Sequence, residues 1–151
     1  MTTTVQGIDA LKGLVGQHLG YSNWIRVDQE RVNLFADATG DHQWIHVDPE
    51  RAKSGPFGTT IAHGYLTLSL IPVLQAQIIQ VEGVTMGVNY GCNKVRFPAP
   101  VPVGSELRMG ATISSVDDFE GGVQVAMDVT LEVKDSAKPS CAAQVVFRYY
   151  A

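Results

Sequence analysis

The feature that most restricts the fold is an apolar segment that runs from Ile61 to about Val81. Drawn as a helix, this segment has apolar residues on nearly every side, which predicts burial all round instead of one inward-facing stripe. We expect Pro72 to kink or shorten the helix. One compact way to bury such a helix is to wrap an antiparallel sheet around it.

Alternating apolar and polar residues beyond Gly83 predict four consecutive strands. The alternation in the first strand changes phase, so we expect a β-bulge near residues 91–93. A glycine-containing turn between the second and third strands is typical of an antiparallel hairpin. The third strand carries its apolar side chains at alternate positions, which predicts one buried and one wetter face. The later three strands are predicted at residues 107–116, 123–134 and 141–150.

The N-terminal part of the chain predicts shorter elements. Residues 20–27 are expected to form a strand, and Asp28 is a good N-cap for a helix whose apolar residues follow it at helical spacing. Gly40 is typical of a helix end. Asp48 and Pro49 then indicate a short helical turn that begins with proline. The segment between these two pieces is expected to be irregular.

The order of the predicted elements is strand, helix, irregular segment, buried helix and four strands. Runs of strands that follow helices favour an α+β fold over a doubly wound parallel sheet. A chain of 151 residues, 45% of them hydrophobic, is sufficient for one continuous core. We therefore expect one α+β domain that covers residues 1–151.

Composition argues against several classes of function. The chain has 11 Lys and Arg against 15 Asp and Glu and no basic tail, so we expect no nucleic-acid partner. Cys92 and Cys141 lie far apart and outside any CxxC pattern, which argues against a disulfide scaffold or a zinc knuckle. The amino terminus lacks the pattern of a secretory signal, and polar residues interrupt the long apolar segment. We expect a cytoplasmic protein with no membrane partner.

Asp41 and His46 are the residues best suited to proton transfer. Five positions separate them, which corresponds to about 140° around a helix and to opposite faces of a strand, so only an irregular path can bring both side chains to one point. An imidazole beside a carboxylate can exchange protons near neutral pH, which suits acid–base chemistry on a polarised carbonyl compound. The alternative is that His46 is a half-buried histidine with satisfied hydrogen bonds and that Asp41 caps local backbone groups.

A metal site in the same segment is not expected. His42 and His46 are four positions apart, but the HExxH pattern is absent and no cysteine cluster supports metal binding. The segment is also not predicted to be helical, whereas the HExxH pattern presents its two histidines from one face of a helix.

Gly64 lies in the first turn of the predicted buried helix. The backbone N–H there has no partner within the helix, and the helix dipole favours negative charge at that end. A glycine lets a thioester oxygen approach closely, and donors aimed at a developing enolate oxygen contribute on the order of 3 kcal/mol to a transition state. The alternative is that Gly64 is small only for packing.

Three blocks of sequence resemble one known family. The first block is Phe35-Ala36-x-x-Thr39-Gly40-Asp41-x-x-x-Ile45-His46-x-Asp48-Pro49, the second is Ile61-Ala62-His63-Gly64, and the third is Val95-Arg96-Phe97-x-x-Pro100-Val101-x-x-Gly104. In this order and at this spacing, they resemble the MaoC-like dehydratases, the R-specific enoyl-CoA hydratases. The resemblance extends more loosely to the final strands.

This resemblance implies a hot-dog fold, in which an antiparallel sheet encloses a long central helix, usually as a homodimer. It implies a hydro-lyase that adds water reversibly to a trans-2-enoyl-CoA and gives a (3R)-hydroxyacyl-CoA. Asp41 and His46 correspond to the catalytic acid–base pair, and the Gly64 N–H corresponds to the oxyanion donor. Gln43 and Trp44 stand where the family commonly has Asn-Pro. Without that proline, the backbone conformation of the loop is less restricted here. We expect neither a metal ion nor a cofactor.

Three residues in the third block are candidates for substrate binding. Lys94 and Arg96 share one face of the strand, where two cations could meet the phosphates of coenzyme A or could simply be solvated surface charges. Phe97 lies on the other face and is either a wall of the acyl or pantetheine site or an ordinary core aromatic. Acyl carrier protein is a second possible carrier, and the sequence does not fix the length of the acyl chain.

Two other functions fit the same fold. A hot-dog acyl-CoA thioesterase often has an acidic residue on the central helix or a His-Gly-Gly loop, whereas residues 64–81 contain no Asp or Glu and the loop reads His63-Gly64-Tyr65. A non-catalytic acyl-thioester binding module is expected to lack Asp41 or His46, and both are present. We therefore favour hydration over these alternatives.

Overall fold

A computed structural model of the protein describes residues 2–151, which form eight strands, five α-helices and a 3₁₀ helix at Ile8–Leu14. No helix in this part of the chain combines the length and the apolar character that crossing a membrane requires. The strands are β1 (Thr3–Gln6), β2 (His18–Tyr21), β3 (Ile25–Val27), β4 (Ile79–Glu82), β5 (Met86–Arg96), β6 (Ser105–Phe119), β7 (Gly122–Val133) and β8 (Cys141–Tyr150). The α-helices are α1 (Gln29–Thr39), α2 (Trp44–Val47), α3 (Pro49–Ala52), α4 (Gly64–Ser69) and α5 (Ile71–Ile78).

The main sheet is antiparallel and has the order β2-β6-β7-β8-β5, with β3 also paired to β6. The predicted hairpin is present, because β6 and β7 pair along their length around a two-residue turn. The predicted bulge is also present: the register of β5 against β8 shifts between Asn89 and Gly91 and again between Cys92 and Lys94. One end of the sheet is therefore formed by β5, which pairs on one side only.

The predicted apolar helix is α4 followed by α5, separated only by Leu70. The Leu70 N–H donates to the Leu66 oxygen, and the Leu74 N–H donates to the Leu70 oxygen, so helical hydrogen bonds continue across the break. Pro72 lies in the first turn of α5, where its missing N–H is tolerated. The helix ends at Ile78 and is shorter than expected. The next residues form β4 instead, because they pair in parallel with β1.

The hydrophobic core lies between this helix and the inner face of the sheet. Leu74 and Ile78 of the helix are fully buried in one cluster with inward residues of the sheet, among them Leu107, Ile113 and Leu131. The alternation predicted for β7 is confirmed from Val123 to Leu131, since every second residue is buried there and Asp128 and Thr130 are exposed. The architecture is the expected α+β arrangement of a hot-dog fold.

Two further differences from the sequence predictions lie in the N-terminal part of the chain. Residues 20–27 belong to two strands instead of one, because the strand is interrupted at Ser22. The Ser22 N–H donates to the Met109 oxygen, and the Ser22 hydroxyl accepts from the Met109 N–H. The side chain thus replaces a main-chain partner and interrupts the ladder. β1 and the 3₁₀ helix were missed because they are too short to show a clear period.

Candidate active site

The end of α1 determines where Asp41 lies. Asp28 caps the start of the helix by accepting a hydrogen bond from the Arg31 N–H at 2.9 Å. Gly40 ends the helix in the left-handed conformation, with φ of 83°, and its N–H donates to the Ala36 oxygen. Both caps confirm the sequence predictions. Asp41 is the first residue after this rigid end, and its side chain is exposed to solvent.

His46 lies on α2, a single helical turn, within a segment that the sequence predicts to be irregular. The irregular part is shorter than expected and covers residues 40–43. The His46 ring is buried, and its Nδ1 lies 2.7 Å from the Ile61 main-chain oxygen. Because a carbonyl can only accept, Nδ1 carries the proton and Nε2 keeps its lone pair. The ring is therefore a hydrogen-bonded buried histidine that still has one nitrogen able to accept a proton.

Gln29 supports His46 from α1. Its side-chain N–H₂ donates to the His46 main-chain oxygen at 2.7 Å, and its side-chain oxygen accepts from the Thr60 hydroxyl at 2.6 Å. This glutamine therefore ties α1, α2 and the segment before α4 together. Gln29 and Thr60 were not predicted as site residues, since nothing in their spacing distinguishes them from ordinary polar surface residues.

The irregular segment brings Asp41 and His46 together. A carboxylate oxygen of Asp41, a ring nitrogen of His46 and a ring nitrogen of His63 all lie within 4.8 Å of one another. The backbone turn that achieves this is stabilised by the Gln43 N–H, which donates to the Asp41 carboxylate at 3.4 Å. A carboxylate and an imidazole at this separation can contact one water molecule or one substrate hydroxyl at the same time.

His63 is the third member of this cluster, and it was not predicted as a site residue although it lies in the Ile61-Ala62-His63-Gly64 motif. The side chain is 3% exposed, and its Nε2 lies 2.9 Å from the Asp41 main-chain oxygen. Its ring stacks on the His46 ring with centroids 3.9 Å apart and planes inclined by 23°. It also contacts Phe35 of α1 with a centroid distance of 4.9 Å.

Burial lowers the pKa of His46 below its ordinary value, because the imidazolium would lose hydration. The Ile61 carbonyl and the Asp41 charge oppose this shift, and the neighbouring His63 adds to it. The net direction favours the neutral ring, in which Nε2 is a proton acceptor at neutral pH.

The same three side chains have ligand atoms of the kind that metals bind, but the ring geometry does not favour a shared ion. Ring nitrogens bind zinc in the plane of the ring at about 2.0–2.1 Å. The His46 and His63 planes are nearly parallel and stacked, so an ion bonded to both would lie far out of at least one plane. His42 is turned away toward Asp37, with Nε2 2.9 Å from that carboxylate.

Gly64 begins α4, as predicted, and its backbone N–H is at the first position of the helix, where no intrahelical acceptor exists. A Cβ added to Gly64 would lie 3.1 Å from two ring carbons of Phe97, so the aromatic ring covers this glycine. Both residues line a cavity of ≈ 330 Å³ whose walls are mostly apolar. Ile61, whose carbonyl holds His46, lines the same cavity.

The two candidate cations lie elsewhere. Lys94 and Arg96 line a separate, open depression on the strands together with Asp128. Pro98 lines both this depression and the cavity beside Gly64, so the two adjoin at that residue. His46 bonds to Ile61 and stacks on His63, so the Asp41–His46 pair lies beside the segment that leads into Gly64, although neither residue is among those lining the cavity. Lys94 and Arg96 lie next to the cavity, beyond Pro98.

Comparison with known proteins identifies relatives of the sequence. A family profile described as a MaoC-like domain matches residues 11–135. The chain is 56% identical over 149 residues to 3-hydroxyacyl-thioester dehydratase Z of Mycobacterium tuberculosis, covering 98% of this chain and 99% of the relative.

Solved structures with a similar fold have lower identity. A monoamine oxidase regulatory protein from Archaeoglobus fulgius gives a TM-score of 0.78 at 22% identity, covering 100% of this chain and 99% of that one. An (R)-hydratase from A. caviae involved in PHA biosynthesis gives a TM-score of 0.71 at 24% identity, covering 88% of this chain and 94% of that one. At such identities the likeness shows the shared fold alone.

Proposed function

We propose, because the chain belongs to the MaoC-like dehydratase family, that this hydro-lyase adds water reversibly to a trans-2-enoyl thioester and gives a (3R)-hydroxyacyl thioester. The thioester carrier is coenzyme A or an acyl carrier protein, and the reaction takes place in the cytoplasm. The relative with 56% identity is named as a dehydratase of 3-hydroxyacyl thioesters, which corresponds to the reverse direction of the same reaction.

The observation that carries this proposal is the convergence of Asp41 and His46. A carboxylate oxygen of Asp41 and a ring nitrogen of His46 lie within 4.8 Å although the two residues are five positions apart. His46 donates from Nδ1 to a main-chain oxygen, which leaves the lone pair of Nε2 free. A carboxylate and an imidazole within hydrogen-bond reach of one water molecule can accept its proton and later return it. We therefore assign Asp41 and His46 as the acid–base pair.

In the hydration direction, the water oxygen forms a bond to C3 while the pair accepts one proton from the water. The electrons of the C2–C3 double bond move toward the thioester carbonyl and give an enolate. The pair then returns one proton to C2, so a hydrogen and a hydroxyl group are added in total. Dehydration runs through the same steps in reverse order.

The Gly64 N–H is assigned as the donor to the enolate oxygen. It lies at the start of α4, where the helix dipole is positive, and it has no hydrogen-bond partner within the helix. A donor of this kind contributes on the order of 3 kcal/mol to the transition state. The cavity beside Gly64 would then receive the thioester end of the substrate, and Phe97 would form one of its walls.

Lys94 and Arg96 are assigned to the phosphates of coenzyme A. Both are exposed, and their depression adjoins the cavity at Pro98, so a carrier could extend from one to the other. An acyl carrier protein, which is joined to its substrate through a phosphate, could use the same cations. Ionic contacts at exposed positions are weakened by salt, which makes this assignment testable.

The protein is proposed to act as a homodimer that is joined through β5. Ten of the eleven residues of this end strand are exposed, including the apolar side chains of Met86, Val88 and Tyr90. An exposed apolar edge strand with unpaired backbone groups is a template for pairing with another strand. Antiparallel pairing with β5 of a second copy would cover this edge and continue the sheet.

The test is to follow the ultraviolet absorbance of crotonyl-CoA while thiol release is measured in parallel. We expect loss of the enoyl absorbance without release of thiol, and a loss of turnover of roughly 100-fold or more in Asp41→Asn and in His46→Gln. His42→Gln is the matched control, because His42 lies in the same segment but contacts Asp37.

Thiol release by the wild-type protein would favour a thioesterase. Binding of crotonyl-CoA with no turnover would favour a binding module. Full activity in both the Asp41 and His46 variants would contradict the assignment of the pair.

A further inference from the structure

His63 contacts Asp41 and His46 and directly precedes Gly64, the three residues that the proposed mechanism requires to be aligned. Its Nε2 lies 2.9 Å from the Asp41 main-chain oxygen, and one face of its ring stacks on His46 at 3.9 Å. The ring also contacts Phe35 of α1. In sequence it directly precedes Gly64 and forms the N-cap of α4, so its main chain sets the position of the Gly64 N–H.

The hydrogen bond of His63 fixes its tautomer. A main-chain oxygen can only accept, so the proton is on Nε2 and Nδ1 bears the lone pair. Nδ1 is fully buried and has no hydrogen-bond partner among the described residues 2–151. An unpaired buried polar atom destabilises a fold, and an apolar ring of similar size would avoid this cost. Packing alone therefore does not account for a histidine at this position.

We propose that His63 is a positioning residue, which holds the Asp41 main chain with its N–H and the His46 ring with its face, and thereby aligns both with the Gly64 amide. The proposal rests on the function assigned to Asp41, His46 and Gly64. His63 itself takes no proton from the substrate. It limits the rotation of His46 and the displacement of the irregular segment that carries Asp41.

The two contacts of His63 can be removed separately. His63→Gln keeps an N–H donor that can reach the Asp41 oxygen but loses the stacked ring. His63→Phe keeps a ring of similar size against His46 but loses the donor. His63→Ala removes both contacts. His42→Gln serves as the control, because it changes a histidine of the same region that contacts neither Asp41's main-chain oxygen nor His46.

Steady-state kinetics with crotonyl-CoA tests the alignment. Since displacement of a catalytic group by about 1 Å lowers the rate roughly 100-fold, we expect kcat of His63→Ala to fall by about that factor, with KM changed less than about threefold. We expect the Gln and Phe variants to fall between wild type and Ala. Circular dichroism and thermal melting establish which variants are folded, and if Ala is not folded the Gln and Phe variants decide the question.

The pH profile separates positioning from a purely structural role. The titratable groups that act on His46 are Asp41 and His63, and Asp41 is present in every variant. The neighbouring His63 contributes to lowering the pKa of His46, so its replacement by Gln or Phe is expected to move the acidic limb of kcat/KM to higher pH. A loss of folded protein alone would scale the profile without moving this limb.

Nitrogen-15 NMR of the imidazole groups in wild-type protein provides a readout independent of activity. We expect His63 in the Nε2–H form and His46 in the Nδ1–H form. The opposite tautomer at His63 would overturn the proposal, and so would wild-type kcat and an unmoved acidic limb in both the Gln and Phe variants. Failure of the acid–base assignment is recognised separately, by full activity of Asp41→Asn and His46→Gln.

Discussion

The His46 Nδ1 lies 2.7 Å from the main-chain oxygen of Ile61, which assigns the proton to Nδ1 and leaves Nε2 as the acceptor in the cluster. Ile61 lies only three residues before Gly64, at the start of the central helix. The loop that orients the imidazole therefore also leads into the proposed oxyanion donor, and a displacement of this loop would change both groups together.

The lowered pKa of His46 predicts how activity depends on pH. The proposed pair needs neutral His46, so kcat/KM should be retained down to a pH below 6.5, the ordinary value for histidine, and should then fall as His46 is protonated. The measurement is a kcat/KM profile for crotonyl-CoA between pH 4.5 and 8, in buffers of about constant ionic strength. A half-activity point above 6.5 on the acidic side would contradict this prediction.

The same shift makes a prediction for stability. Below pH 6.5 the unfolded state binds a proton at His46 before the folded state does, so the free energy of unfolding falls as pH drops from 6.5 to the lower folded pKa and levels off below it. Urea denaturation of wild type and His46→Gln isolates this contribution, because other groups titrate in both proteins. We expect the stability difference between the two to change within that window and to be constant above it.

Substitution of Gly64 tests the close approach at the start of α4. In Gly64→Ala the new methyl group would lie 3.1 Å from the Phe97 ring, which is 40% exposed and can move, so we expect the variant to fold. The methyl group would displace the thioester oxygen from the amide, and kcat should fall about 10- to 100-fold. Gly13→Ala is the control, since a Cβ there would contact nothing within 4 Å. Unchanged kcat in Gly64→Ala would count against the oxyanion assignment.

The role of Lys94 and Arg96 is tested with two substrates, a thioester of coenzyme A and a thioester of a shorter thiol that lacks phosphate. In Lys94→Ala/Arg96→Ala we expect KM for a CoA thioester to rise about tenfold at low salt and to approach the wild-type value at high salt. KM for an N-acetylcysteamine thioester, which has no phosphate, should not change. Lys138→Ala alters an exposed cation that is not among the residues lining the depression or the cavity, and it should leave both values unchanged. An equal effect on both substrates would exclude phosphate contacts.

The edge strand predicts the effect of charge on oligomeric state. Val88→Lys places a cation on the exposed edge of β5, and lysine at an edge strand opposes pairing. Light scattering after size exclusion should give the mass of two chains for wild type and of one chain for the variant. Leu34→Lys, on an exposed position of α1, is the matched control and should keep the wild-type mass. A wild-type monomer would contradict the proposed dimer.

Much of the fold is predictable because it depends on local rules. Asp28 and Gly40 define the ends of α1 through their own hydrogen bonding and backbone conformation, and the alternation along β7 follows from one buried face of the sheet. The end of the apolar helix was less predictable. Residues 79–81 are as apolar as the helix, and only their pairing with β1, more than 70 residues away in sequence, makes them a strand.

The sequence proposes residues for the candidate site but not the contacts that place them. The motifs indicate Asp41, His46 and Gly64, yet the contact that holds Asp41's main chain comes from His63, 22 residues later. The helical turn of α2 likewise depends on Gln29 and on Ile61, which lie outside the segment. Such long-range contacts leave no period or spacing in the sequence.

Both imidazoles in the cluster donate to main-chain oxygens, not to side chains. The position of the proton on each ring is thus set by a main-chain carbonyl. Substitution of a neighbouring side chain does not remove that carbonyl. Redesign of the surrounding cavity, for example at Phe97, could alter which acyl groups enter while the tautomers stay as they are. With the proposed roles, the scaffold would separate the part of the protein that recognises a substrate from the part that transfers its protons.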